Sequence, residues 1–97
     1  MRTANRGGSK FPLGQIVGTP GALEAIERAG QEPGFFLSKH VQGDWGMMDP
    51  DDKQLNEEAL SDGGRIHSAY KTLKGESIWI ITEADRSTTT ILLPDDY

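Results

Sequence analysis

From Arg65 to Leu93 the apolar residues alternate with polar ones or run in short unbroken blocks, and two turn signals cut the stretch into three pieces. Ile66, Ser68 and Tyr70 share one side of the first piece, and Lys74-Gly75-Glu76 is a turn. Ser77 to Glu83 is rich in Ile, Trp and Thr. Asp85-Arg86-Ser87 turns again, and Thr88 to Leu93 runs up to Pro94. A period of two with β-branched and aromatic residues specifies strands. The connections are too short for a crossover, so consecutive strands must be antiparallel neighbours. The expectation is a three-stranded antiparallel β-meander with Ile78–Ile81 on its central strand.

A sheet with an apolar face needs cover, and the residues before Arg65 supply it in helical periods. Thr19 can cap a helix that starts at Pro20, with Ala22, Leu23, Ile26 and Ala29 on one face and Gly30 as the stop. Pro33 opens a second short helix with Phe36, Leu37, His40 and Val41 as its stripe. Asp49 caps a third, whose thin apolar face is Leu55, Ala59 and Leu60 and whose end is Asp62-Gly63-Gly64. Phe11 to Gly18 is apolar but broken by Pro12 and Gly14, which suits an N-terminal edge strand or a pinned extended segment. The predicted fold is α+β: two or three short helices packed on the meander. With 97 residues there is room for one domain, read as a flexible basic arm over 1–10 and a single α+β domain over 11–97.

No apolar run reaches the roughly 18 residues a membrane span needs. Cysteine is absent, which removes disulfides and thiolate metal sites and agrees with a cytoplasmic location. The net charge is −5, and it is uneven. Asp44, Asp49, Asp51, Asp52, Glu57, Glu58 and Asp62 face a single base, Lys53, within that span, while the arm carries Arg2, Arg6 and Lys10 without an acid. An acidic body argues against direct nucleic-acid binding, which rests on Lys and Arg. It favours a protein partner with a basic surface, encoded by a host or by a mobile element; a homodimer stays open.

Candidate chemistry is sparse. His40 precedes Asp44 by four residues and lies near Trp45, which fits a carboxylate-oriented base or metal ligand, but its place on the apolar stripe favours a packed helix-end histidine. His67 sits on the strand face opposite Ile66 and Tyr70, but neither histidine has diagnostic ligand spacing, so neither metal nor cofactor is expected. Glu83-Ala84-Asp85-Arg86-Ser87 gathers polar groups at one hairpin end, either as an anion site around Arg86 or as turn chemistry. If the chain is catalytic, His40, Glu83 and Arg86 are the candidates. For binding they are Asp44, Trp45, Asp49, Asp51, Asp52, Glu57, Glu58, Asp85 and Arg86, with Met47 and Met48 at the edge of the acidic block as apolar anchors.

Residues 11–25 (FPLGQIVGTPGALEA), 40–46 (HVQGDWG) and 78–97 (IWIITEADRSTTTILLPDDY) resemble a family of small "plasmid-related" bacterial proteins carried on mobile elements. The resemblance implies residence on mobile DNA and brings no activity with it. Three functions follow as expectations. The first is an acidic protein-binding module that inhibits a host defence complex of the CRISPR or restriction kind. The second is a RelE/ParE-like toxin ribonuclease using His40, Glu83, Arg86 and Tyr97, to which the helix pair and meander are loosely similar. The third is an accessory structural protein without a ligand.

Overall fold

Each helix begins where proline occupies the first helical position, a place with no amide to satisfy. The computed structural model describes residues 9–97 and places the helices at α1 (Pro20–Arg28), α2 (Pro33–Val41) and α3 (Pro50–Asp62). Thr19 accepts a bond from the Ala22 amide (3.2 Å) and Asp49 from the Asp52 amide (2.9 Å), whereas Glu32 precedes α2 without a side-chain cap. Gly63, at φ 85°, ends α3 in the left-handed region that glycine adopts without strain.

The strands are β1 (Gln15–Gly18), β2 (Ile66–Lys71), β3 (Ser77–Thr82) and β4 (Thr88–Leu92), in the order β1-β4-β3-β2. The chain closes with a short 3-10 turn over Pro94–Asp96. β2 pairs antiparallel with β3, and β3 with β4, but β1 lies parallel to β4. The class is α+β as expected. The sheet is not a three-stranded antiparallel meander; it is four-stranded and mixed. The three helices separate β1 from the other strands, and a connection of that length lets β1 return beside β4 in parallel. Gly14 makes the approach feasible: a Cβ there would stand 2.4 Å from the carbonyl oxygens of Arg86 and Ser87. The basic arm expected over 1–10 lies mostly outside the described residues; within them, Lys10 donates its amide to Val41 O (2.8 Å).

One sheet face carries Ile66, Ser68, Tyr70, Ile78, Ile80, Thr82, Thr89 and Ile91, all buried. Two apolar clusters cover it. Ala22, Ala25, Ile26 and Phe36 pack with Tyr70, Ile78, Ile80 and Ile91, while Phe11, Trp45 and Ala59 pack with Ile66. Two expected core positions fall outside. Leu23 and Leu55 are both exposed; Ala25 takes the place on α1, and Asn56 takes it on α3.

The reason for Asn56 is the outer edge of β2. Its side chain donates to His67 O (2.8 Å) and accepts from His67 N (3.1 Å), imitating a neighbouring strand. One step along, Ala69 N donates to Trp45 O (3.2 Å) and Met47 N donates to Ala69 O (2.7 Å). Gly46 permits that bridge, because a Cβ there would stand 2.0 Å from Ala69 O. Asn56→Ala, which leaves both His67 backbone groups without partners, should lower stability by about 2 kcal/mol. Urea unfolding checks this; an unchanged midpoint would show that the edge closes without the amide.

Candidate functional site

His40 is fully buried at the seam between the two apolar clusters. Its Nδ1 lies 2.6 Å from Ser68 Oγ and its Nε2 lies 2.9 Å from Thr82 Oγ1, which is 2.7 Å from Thr89 Oγ1. The chain ends where the Thr89 hydroxyl donates to Leu13 O (2.7 Å). That last bond fixes the direction of the others, since a carbonyl can only accept. Thr82 must donate to Thr89, His40 Nε2–H to Thr82, and Ser68 to His40 Nδ1. Burial, with a smaller push from His67, lowers the His40 pKa from 6.5 to about 4, so the ring is neutral. Phe11 meets the ring edge-on at 5.2 Å and Trp45 at 6.1 Å. Ser68 and His40 have the atoms of a nucleophile–base pair, but both are shut away from any substrate.

Arg86 is also occupied within the fold. It is the sole non-glycine among the described residues with positive φ (61°), and its guanidinium donates to Gly64 O (2.6 Å), Ala59 O (2.9 Å), Glu83 O (3.2 Å) and Ala84 O (3.2 Å). It also stands over the Phe11 ring at 5.7 Å. Two of those carbonyls belong to the end of α3 and the glycine turn after it, where a cation complements the helix dipole. Asp85 closes the hairpin turn on the Ser87 amide (2.9 Å), and its bonds to Ser87 hold its carboxyl below the ordinary range. Glu83 pairs with Arg65 (3.6 Å), and Arg65 donates to the Tyr97 hydroxyl (2.8 Å). His40, Glu83 and Arg86 therefore do not meet in one cleft.

Apart from Asp52, which is half-buried, the acidic block divides into two groups. Asp49 caps α3, Glu57 accepts from the Trp45 indole (2.9 Å), and Asp44 pairs with Lys39 (3.6 Å) and accepts from the Gly46 amide (3.1 Å). Trp45 is buried by this arrangement, so it is core and not a surface anchor. The second group is tied only loosely: Glu58 accepts from the Gln54 amide on the same exposed helix surface (3.4 Å), and among the described residues Asp51 and Asp62 take no such part. Asp51, Glu58 and Asp62 are exposed and follow one helical stripe with Leu55, at offsets of four, three and four residues. Leu55 is 60 % exposed in the middle of that stripe and borders a groove, which Met47, 63 % exposed, also lines.

That groove, about 600 Å³ and open to solvent, runs between α3 and the uncovered face of the sheet. Met47, Met48 and Leu55 form one apolar wall, Ala69, His67 and Trp79 line its sheet side, and Asp49 and Asp52 supply carboxylates. His67 stacks edge-on against Trp79 (4.6 Å), and its Nε2 is buried without a partner. Burial lowers the His67 pKa, opposed by Asp52 and assisted by Arg65. No three His, Asp or Glu residues among those described are grouped to hold a metal ion, and no described helix is long and apolar enough to cross a membrane.

Leu55 and Trp79 are groove residues that the sequence did not single out as a site, whereas His67, weighed there as a ligand, lines the groove. The signal for Leu55 was its spacing from Asp51, Glu58 and Asp62, which puts an apolar residue on an acidic stripe. Trp79 was hidden inside the run Ile78–Ile81, whose unbroken apolarity masks which side each residue takes. No protein family, curated protein or solved structure matches the chain.

Proposed function

We propose that the chain is a small acidic protein-binding module of a mobile element, which occupies a basic surface of a host defence complex and so inhibits it. The observation that carries this reading is the exposed α3 stripe of Asp51, Leu55, Glu58 and Asp62 beside the Met47–Trp79 groove. An interface of this kind needs desolvated apolar anchors surrounded by charges that orient the partner. Met47 and Leu55 are such anchors, and the carboxylates imitate the phosphates that a nucleic-acid-binding groove is built to receive. Residence on a mobile element rests on the family resemblance alone.

The toxin reading requires His40, Glu83, Arg86 and Tyr97 on one RNA-facing surface. His40 is buried and the Arg86 guanidinium is spent on four backbone carbonyls, so that surface is not assembled. The proposal is tested by mixing the purified chain with CRISPR effector nucleases and restriction enzymes of bacterial hosts. Co-elution with one of them and slowed DNA cleavage, both weakened as salt rises from 50 to several hundred mM, is the expected outcome. Absence of co-elution together with unchanged cleavage across the panel would overturn it.

A further inference from the structure

The two edges of the sheet are treated oppositely. The β2 edge is closed at His67 by Asn56 and at Ala69 by the Trp45–Met47 bridge, and its last outward position, Lys71, carries a guarding charge. On the β1 side, Gln15 N bonds Ser87 O and Thr19 N bonds Ile91 O, so Gln15, Val17 and Thr19 turn their backbone groups toward β4. Ladder alternation then points the amide and carbonyl of Ile16 and Gly18 outward, and among the described residues nothing pairs with them. Sheet edges are ordinarily guarded by charges, yet Phe11 to Leu23 contains none. Instead Ile16, Val17 and Leu23 are 48, 40 and 39 % exposed along it.

We infer that β1 is a dimerisation edge, on which a second copy of this chain adds its own β1 antiparallel about a twofold axis through Val17. Ile16 of each copy faces Gly18 of the other and exchanges both backbone bonds with it, and the two Val17 side chains meet at the axis. Three observations select a second copy over a foreign strand. The edge has no charge with which to recognise a charged partner, and it is complementary to itself. Pairing at β1 leaves only the two closed β2 edges, so the assembly stops at two. The charge distribution permits it as well: α3 packs on β2 at the far edge. In an eight-stranded sheet the two β2 strands are about 34 Å apart at roughly 4.8 Å per strand. That exceeds a screening length of about 8 Å at physiological salt, so the acidic helices do not oppose association.

Sedimentation equilibrium over a concentration series tests this with the full chain. The wild type should move from 10.6 kDa toward twice that mass as concentration rises. Val17→Lys and Val17→Glu place like charges on the axis and should each raise the dimer dissociation constant at least tenfold with circular dichroism unchanged. An equimolar mixture of the two should recover the dimer, a result that misfolding of either variant does not produce. A wild type that remains at 10.6 kDa at every concentration, or variants that dimerise like the wild type, would overturn the inference.

Discussion

Replacing His40 by alanine should lower the unfolding free energy by about 4 kcal/mol, from the cavity left by a buried ring and the loss of one hydrogen bond at each of two buried hydroxyls. The hydroxyls are those of Ser68 and Thr82, both fully buried. Removal of the ring also takes away the surface that Phe11 packs on edge-to-face, so the N-terminal segment that carries Phe11 should loosen with it. Urea unfolding at pH 7.5 measures the loss, and a change below about 1 kcal/mol would contradict the role assigned to the seam.

The same residue makes stability depend on pH in a defined direction. The folded state holds the His40 pKa at about 4 against 6.5 when unfolded. Between those values the unfolded chain binds more protons, so stability rises with pH through that window and is lost on acidification. A difference of about 2.5 units corresponds to about 3 kcal/mol when the window is crossed completely. His67, whose pKa burial also lowers, adds to the loss with the same sign. Asp85 and Asp96 act elsewhere: bonds from Ser87 and Thr19 hold their carboxyls low, so they lose their contribution only as pH falls through the carboxylate range. The His40→Ala variant should show a flatter profile between pH 6.5 and 4 than the wild type. Parallel profiles would contradict a neutral His40 in the folded state.

Arg86→Met should cost about 3 kcal/mol, because a guanidinium bonded to several partly buried carbonyls is replaced by an apolar chain of similar reach. The loss falls at one joint. Ala59 O and Gly64 O tie the end of α3 to the hairpin that carries Glu83 and Ala84, and Phe11 packs under the same guanidinium. Arg86→Lys should recover only part of the stability, since an ammonium lacks the planar fork that reaches carbonyls in four directions. Thermal unfolding of the pair gives the comparison. Full stability in Arg86→Met would assign the guanidinium to an external ligand and revive the toxin reading.

The parts of the fold that local chemistry determines were legible in the chain. Proline after a polar residue marked each helix start, Gly63 marked the end of α3, and the alternation of Ile66, Ser68 and Tyr70 assigned the faces of β2. The parts set by distant partners were not. The parallel pairing of β1 depends on Gly14 slipping beside Arg86 and Ser87, a contact between segments more than seventy residues apart. Asn56 reads as a polar helix position until the His67 backbone is placed beside it. The same holds for the site. His40 and Arg86 are chemically conspicuous in sequence and structurally committed in the fold, because their partners, Ser68, Thr82, Ala59 and Gly64, have no recognisable spacing from them.

The proposed binding surface is thereby narrowed from a nineteen-residue acidic block to the exposed α3 stripe of Asp51, Glu58 and Asp62. Asp51→Lys, Glu58→Lys and Asp62→Lys, combined in one variant, reverse that stripe. On helix-dipole grounds the lysine at the N-terminal end costs a few tenths of a kcal/mol and the one at the C-terminal end returns about as much. The most direct measurement is the affinity of this triple variant for the nuclease that the wild type retains, with both melting temperatures recorded beside it. Unchanged melting with a loss of affinity of a hundredfold or more is the predicted result, and unchanged affinity in a folded triple variant would contradict the assignment of α3 as the binding face.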